Sequence, residues 1–142
     1  MQPSDKQDKV IVFNYGSSSL KAAVFQLPAA RICTFKMELK DLPPLSDAEG
    51  VTTQAETRES HAHRPAILCL KELETQLNLP LKAETCLVAH RIVHGGTNSR
   101  PLPIDDRVKD QIRELSEFAP LHNPGSLAVV QAAQAALPAV AH

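Results

Sequence analysis

Several residue types and segments are scarce in this chain, and each scarcity argues against a class of protein. The 142 residues contain no tryptophan and a single tyrosine, so they offer few aromatic surfaces on which nucleic-acid bases could stack. The formal net charge is only -1, which gives no reason to expect nucleic acid or an anionic membrane as a partner. No apolar run is long enough to span a bilayer. We therefore expect neither nucleic-acid nor membrane binding.

Cysteine is also scarce. Cys33, Cys69 and Cys86 are far apart and form no C-x-x-C pair, so the sequence indicates reduced thiols rather than a disulfide framework or a structural zinc site. Residues 1–8 are polar and lack the apolar core of a signal peptide, so we expect a frayed N-terminal tail. Together these features predict a cytoplasmic protein.

The apolar runs of the first half predict a small sheet followed by a helix. Residues 9–14 are β-branched and apolar on both faces, which is typical of a central, doubly covered strand. Segments 20–27 and 31–39 predict two further strands, the first of them joined to 9–14 as a hairpin. The polar segment 41–60 predicts a loop with a short strand at 51–53. From Pro65, leucines at helical spacing predict a helix that Pro80 ends.

The second half continues the alternation of strands and helices. Residues 85–93 predict a buried strand, and Val108 begins the apolar stripe of an amphipathic helix whose N-cap is Asp105 or Asp106. Asn123, followed by a proline, predicts the N-cap of a last helix. The order is three strands, a loop, a helix, a strand and two helices, which predicts an α/β fold with a mixed sheet.

Three short motifs contain residues suited to binding an anion. In NYGSSSLK, Gly16, Ser17 and Ser19 form a tight turn whose amides and hydroxyls can approach a phosphate, with Lys21 nearby and Asn14 offering an oxygen to hydrated Mg²⁺. The spacing is not that of a Walker A loop. An ordinary hairpin turn with a solvated lysine is the alternative, because turns favour the same residues for steric reasons.

The other two motifs are HRIVHGG and FAPLHNP. Arg91 can hold a carboxylate or a phosphate through two parallel hydrogen bonds, or can pair with a structural acid. His122 stands just before a helix start, where the positive end of the helix favours an anion; it can equally be a residue of the capping region without chemistry. Each motif on its own leaves both interpretations open.

Taken together and in this order, the three motifs resemble the N-terminal part of acetate kinases, with similarity from residue 9 to residue 137 and its weakest point at 40–60. The resemblance implies the fold of actin, sugar kinases and Hsp70, a ribonuclease H-like α/β domain, of which residues 9–142 would be the incomplete first part. It also implies reversible phosphoryl transfer between ATP and acetate, giving ADP and acetyl phosphate, with Mg²⁺. Proteins of this family are usually homodimers.

The resemblance assigns a role to each motif residue. Asn14 would help to hold Mg²⁺, Lys21 would serve the nucleotide phosphates, and the turn of Gly16, Ser17 and Ser19 would lie against the phosphoryl group in transfer. Arg91 would bind the carboxylate of acetate and acetyl phosphate. Val93 and Leu121 would line the apolar pocket for the methyl group, and His122 would contact the phosphoryl group.

Two departures and one missing part qualify the resemblance. Tyr15 stands where the family usually has a small residue, so we expect it to crowd the phosphate region, and the run from Pro124 to Ser126 also differs from the usual one. The strand and aspartate that follow in the family, and its adenosine-binding region, lie beyond His142. We expect negligible kinase activity and poor stability from the chain alone. Propionate as the substrate, and a non-catalytic remnant or binding module, stay open as alternatives.

Overall fold

The computed structural model describes residues 8–28, 30–42, 58–82 and 86–142. Within these ranges, four strands form one sheet and three α-helices accompany it. The elements are β1 (Lys9–Tyr15), β2 (Ser19–Gln26), β3 (Ala30–Glu38), α1 (Arg58–Leu77), β4 (Cys86–His90), α2 (Asp106–Glu114) and α3 (Asn123–Ala136), with 3₁₀ turns at Leu39–Asp41 and Leu115–Glu117. The predicted order of strands and helices is confirmed.

The sheet is mixed, as predicted, and its strands lie in the order β3-β2-β1-β4. Strand β1 pairs antiparallel with β2 and parallel with β4, while β2 and β3 are antiparallel. The β1–β2 hairpin is closed by the Gly16 amide, which donates to the Ser19 carbonyl at 2.8 Å. Strand β1 is therefore central, and residues at its end adjoin both the hairpin and the chain that leaves β4.

Alternate residues of the central strands form the core. Ile11, Phe13, Leu20 and Val24 are fully buried, because residues two apart on a strand point to the same face and this face is covered by α1 and α3. The opposite face of β1 is only half-buried in the described part of the chain. The prediction that β1 is a central strand is confirmed. Within the described residues, however, only one of its two faces is fully covered.

Helix α1 differs from its prediction. It begins at Arg58, inside the segment predicted to be a loop, and runs through Pro65 rather than starting there. A proline in a helix lacks one hydrogen-bonding N–H. Ala62, Ala66 and Leu73, on one face of the helix, are fully buried, so the packing of this face offsets the lost bond. Residues 43–57 of the loop predicted at 41–60, including its short strand at 51–53, lie outside the described residues.

The two later helices begin in different ways. Asp105 is the N-cap of α2, since its carboxylate accepts the Val108 amide at 2.8 Å, as one of the two predicted alternatives has it. The prediction that Asn123 caps α3 is wrong: Asn123 is the first residue of the helix, and the N-cap is His122, whose side chain makes no capping hydrogen bond. The Asn123 side chain is instead engaged with another part of the chain.

All three cysteines carry free thiols, and Cys69 and Cys86 are buried. Burial raises the pKa of the Cys69 thiol to about 12, so this thiol remains protonated at neutral pH. Among the described helices, none combines the length and apolar character needed to cross a membrane.

Candidate active site

Three polar side chains share the open face of the sheet at the end of β1. Asn14 of β1 is paired directly with Lys21 of β2, and residues directly opposite each other on antiparallel strands point to the same face. Strand β4 pairs in parallel as far as Phe13 and His90, and the Arg91 amide then donates to the Phe13 carbonyl at 2.9 Å. Asn14 and Arg91 are therefore the next residues of the two strands in this parallel register. The first two motifs meet here because of the pairing of β1 and β4.

A hydrogen bond joins these two motifs. Arg91 Nη1 donates to Asn14 Oδ1 at 3.4 Å, across 77 positions of sequence. Arg91 is exposed, and within the described part of the chain it forms no ion pair with an acidic side chain. The alternative of an arginine neutralised by a structural carboxylate thus finds no support in the described part of the chain. The Asn14 side chain orients the guanidinium group of Arg91, which remains accessible to an anion.

The serine-rich turn is anchored at both ends. The Gly16 amide closes the hairpin through the Ser19 carbonyl, and the Ser18 carbonyl accepts the Leu39 amide at 2.8 Å. Ser17 and Ser18 are exposed at the tip, whereas Ser19 is buried. The Gly16 amide is therefore occupied by the turn itself, so the phosphate clamp that the sequence predicted would depend on the exposed tip and on Lys21.

The segment after Arg91 is shaped by a glycine and an imidazole. Gly96 has a φ of 66°, in the left-handed region, and a Cβ at this position would meet Leu115 Cδ1 at 3.2 Å. Its amide lies 3.3 Å from His94 Nδ1, in hydrogen-bonding geometry. The His94 ring stacks on Phe118, with ring centroids 5.4 Å apart. The HGG segment is thus folded back onto the chain that precedes α3.

Asn123 joins the second motif to the third, and its role was missed by the sequence reasoning. It is fully buried; its Oδ1 accepts the His94 amide at 3.2 Å, and its Nδ2 donates to the carbonyls of His94 at 3.0 Å and Ile112 at 3.4 Å. Sequence could not separate this role from helix capping, because asparagine serves both and the partner is 29 positions away.

The two loops held together by Asn123 carry apolar side chains that are open to solvent. Val93 is 42% exposed, Leu121 is 54% exposed and Phe118 is 72% exposed. His122, next to Leu121, is half-buried at the start of α3. Exposed apolar residues beside an arginine and a helix start form an amphipathic surface suited to a small organic anion.

Tyr15 does not crowd this surface, contrary to expectation. Its side chain is 7% exposed and belongs to the buried core cluster, on the face of the sheet opposite to Asn14 and Lys21. Adjacent residues of a strand point to opposite faces, which explains the outcome. A bulky residue at this position is therefore compatible with the motif around it.

A separate cleft of about 520 Å³ lies on the far side of β4, between this strand, the segment 100–104 and α2. His90 lines it and is stacked between Phe13 and His142, at centroid distances of 5.5 and 5.6 Å. Burial, with a smaller effect from His142, lowers the pKa of His90 to about 3. Arg91, Val93 and His122 do not line this cleft, whereas His90, Ile92 and Gly95 of the second motif do.

The described residues contain no cluster of three or more His, Cys, Asp or Glu side chains that could hold a metal ion. Asn14 offers one amide oxygen, and this oxygen already accepts a hydrogen bond from Arg91. One such ligand fits Mg²⁺ that is held mainly by phosphate oxygens and water, as is common for nucleotide-bound Mg²⁺, but does not make a protein cage.

Comparison with known proteins accounts for this set of motifs. The family model described as "Acetokinase family" matches residues 9–142. The chain belongs to this family. The three motifs at 14–21, 90–96 and 118–124, which strand pairing and Asn123 bring together, lie within the matched residues. The predicted resemblance to the N-terminal part of such enzymes is confirmed.

Individual relatives agree. An acetate kinase of Geobacter metallireducens is 33% identical over 141 residues, covering 94% of this chain and 34% of that protein. A propionate kinase of an Enterobacter species is 36% identical over 140 residues, covering 92% of this chain and 32% of that protein. The crystal structure of Porphyromonas gingivalis acetate kinase superposes with a TM-score of 0.66 and 29% identity, covering 94% of this chain and 36% of that one.

The chain thus spans about a third of the length of these relatives. The structural likeness confirms the predicted fold class, the first part of an actin-like α/β domain. The family match covers nearly all of the chain. The activities in the names of the relatives, however, belong to proteins that are much longer than this chain.

Proposed function

We propose that this chain provides the carboxylate- and phosphate-binding part of an ATP-dependent kinase that transfers a phosphoryl group to acetate, reversibly giving acetyl phosphate and ADP. The observation that supports this most strongly is the hydrogen bond from Arg91 to Asn14. It places an exposed guanidinium on the same face as Lys21, beside a loop that Asn123 joins to the start of α3.

Each residue has a role that the resemblance implies and that its chemistry supports. Arg91 binds the carboxylate of acetate or the acyl phosphate through parallel N–H donors, and Asn14 keeps the guanidinium oriented. Val93 and Leu121 contact the methyl group, since they are exposed aliphatic side chains close to Arg91 and His122 in the sequence. His122 donates a hydrogen bond to a phosphoryl oxygen at the helix start, where partial positive charge also favours the anion.

The hairpin serves the nucleotide side. Lys21 neutralises phosphate charge, and the exposed tip at Ser17, flanked by Gly16 and Ser19, lies against the phosphoryl group. Mg²⁺, when bound with ATP, screens the phosphate charges, and Asn14 would be its contact from this chain. A carboxylate nucleophile needs no strong base, so orientation and charge neutralisation account for most of the catalysis.

We further propose that these 142 residues alone bind acetyl phosphate but do not complete turnover. Within the described residues no acidic cluster stands near Arg91, and by resemblance the aspartate and the adenosine contacts of the family come from other segments. ATP-dependent formation of acetyl phosphate by the 142-residue chain, above a protein-free blank, would contradict this part. We expect the complete enzyme to be cytoplasmic and homodimeric, as the family usually is.

Propionate is the second candidate substrate. The observation in its favour is that a propionate kinase is 36% identical to this chain, about as similar as acetate kinases are. One methylene in an apolar pocket changes binding by only about 1–3 kcal/mol. Acetate and propionate are each titrated as competitors of acetyl phosphate for binding to this chain. The preferred substrate is the one with the lower inhibition constant.

The test is calorimetric titration of acetyl phosphate into the parent chain, Arg91→Ala and the control Arg107→Ala. Arg107 is an exposed arginine of α2 outside the site. Loss of a hydrogen bond to a charged group costs about 1.5–3 kcal/mol, so Arg91→Ala should weaken binding roughly 10- to 100-fold while Arg107→Ala leaves the affinity within twofold. Equal affinities for the parent and for Arg91→Ala would refute the assignment.

A further inference from the structure

Tyr15 and Gly125 meet at a contact that no functional role yet explains. Tyr15 is the last residue of β1, between Asn14 and Gly16, and its side chain is buried. Gly125 is buried in the first turn of α3, three residues after His122.

The contact is closer than any side chain at 125 could allow. A Cβ built on Gly125 would lie 2.0 Å from Tyr15 Cε1, 2.6 Å from Cζ and 2.7 Å from Cδ1. Three ring atoms are involved, so a small shift of one flexible atom would not relieve the overlap. The tyrosine ring therefore occupies the space that the side chain of residue 125 would otherwise fill.

Neither partner is free to move away. The backbone of Tyr15 is paired with Leu20 in the hairpin, and the next residue, Gly16, closes the turn. On the other side, the His122 carbonyl accepts the Ser126 amide at 2.9 Å, so the backbone of His122 is part of the first turn of α3. The ring thus stands between two rigid backbone segments.

We propose that Tyr15 is a positioning residue: its ring, seated against the bare Cα of Gly125, sets the spacing between the phosphate-side turn at 16–19 and the helix start that carries His122. This inference rests on the proposed function for the roles of the turn and of His122. The packing itself is independent of that function. A smaller residue at 15 leaves the spacing unset, and any larger residue at 125 forces the two segments apart.

The packing is tested by a double-mutant cycle of Tyr15→Ala and Gly125→Ala, measured by urea unfolding. Overpacking typically costs 1–3 kcal/mol, so Gly125→Ala should raise the unfolding equilibrium constant roughly 5- to 150-fold in the parent. In the Tyr15→Ala background the same change should matter less than about twofold. Gly95→Ala is the matched control for stability, because a Cβ there meets nothing within 4 Å.

The positioning role needs a readout that packing alone would not move. The NMR signals of the His122 ring and of the Gly16 amide should shift in Tyr15→Ala and stay at their parent positions in Tyr15→Phe, which keeps the ring. The dissociation constant of acetyl phosphate should rise at least tenfold in Tyr15→Ala and less than twofold in Tyr15→Phe. If the parent does not bind acetyl phosphate, the proposed function fails, and the His122 signals still decide the positioning role.

Two results overturn the inference. One is an equal cost of Gly125→Ala with and without the tyrosine ring; the other is a set of His122 signals that Tyr15→Ala leaves unchanged. Should Gly125→Ala fail to fold, recovery of folding in the double variant supports the inference, and its absence contradicts it. Should Tyr15→Ala fail to fold, Tyr15→Leu, which keeps apolar volume without the planar ring, replaces it in every comparison.

Discussion

Removal of the Asn123 side chain should destabilise the fold and weaken the site at the same time. In Asn123→Ala, three hydrogen bonds are lost: one from the His94 amide and two to the carbonyls of His94 and Ile112. Each intramolecular hydrogen bond contributes about 0.5–1.5 kcal/mol net, and a buried group left without a partner costs about 1–3 kcal/mol. Asn123 is fully buried, while His94 is half-buried and can regain water. We therefore expect the free energy of unfolding to fall by about 2–4 kcal/mol.

The chain offers a matched control in the same helix. Gln134 of α3 also uses an amide side chain to reach a loop, since its Nε2 donates to the Ile104 carbonyl at 2.8 Å. Only one bond is involved, so Gln134→Ala should cost about 1 kcal/mol. Gln134 is not in the loops near Arg91, so its removal should leave the affinity for acetyl phosphate unchanged. Urea unfolding gives both free energies, and calorimetric titration gives both affinities.

The same substitution separates a local effect on the loop from a global one. Asn123 touches the backbone at His94, three residues after Arg91, so Asn123→Ala should weaken acetyl phosphate binding under conditions where the protein remains folded. A loss of less than about 0.5 kcal/mol in stability, below the usual net value of one hydrogen bond, would refute the reasoning about the fold. Unchanged affinity in the folded variant would refute the link from Asn123 to the site.

Three further predictions concern single features of the structure. Burial lowers the pKa of His90 to about 3, so below about pH 6.5 the unfolded chain takes up a proton at His90 while the folded chain does not. Between pH 7 and pH 5 this difference should lower the free energy of unfolding by about 2 kcal/mol, and the decrease should be smaller in His90→Phe. An equal pH dependence in both proteins contradicts this. Gly96→Ala should cost about 1–2 kcal/mol, because φ is 66° and Leu115 is 3.2 Å from the new Cβ, while Gly95→Ala should be nearly neutral in thermal unfolding. Asp105→Ala should cost about 1 kcal/mol through loss of the α2 cap, and Asp106→Ala, an exposed residue paired with Lys109, should cost less; the reverse order in urea unfolding would show that the cap is unimportant.

The elements that depend on local sequence were predicted well. Apolar runs predicted β1, β2 and β3 within one residue of their observed bounds. Asp105 was one of two predicted caps, because the amide that such a cap accepts is only three residues away. The mixed sheet and the order of elements were also predicted, since each strand carries its own apolar pattern.

The features that were missed depend on contacts distant in sequence. Helix α1 continues through Pro65 because its apolar face is buried against other elements, which local propensity does not register. Asn123 was assigned to its own helix, although its partners are His94 and Ile112. Tyr15 was expected to face the phosphate region, although strand alternation places it on the buried face with Ile11 and Phe13. The site residues were named by resemblance; the bonds that join their motifs became visible only in the structure.

The central claim is that the three motifs form one binding surface for an acyl phosphate. The most direct measurement is amide chemical-shift mapping of the 142-residue chain during titration with acetyl phosphate. The account predicts shifts at the 16–21 segment, at 91–94 and at 121–123 that follow a single dissociation constant. Shifts confined to one motif, shifts only around the separate cleft lined by His90, or no saturable shifts at all would contradict it.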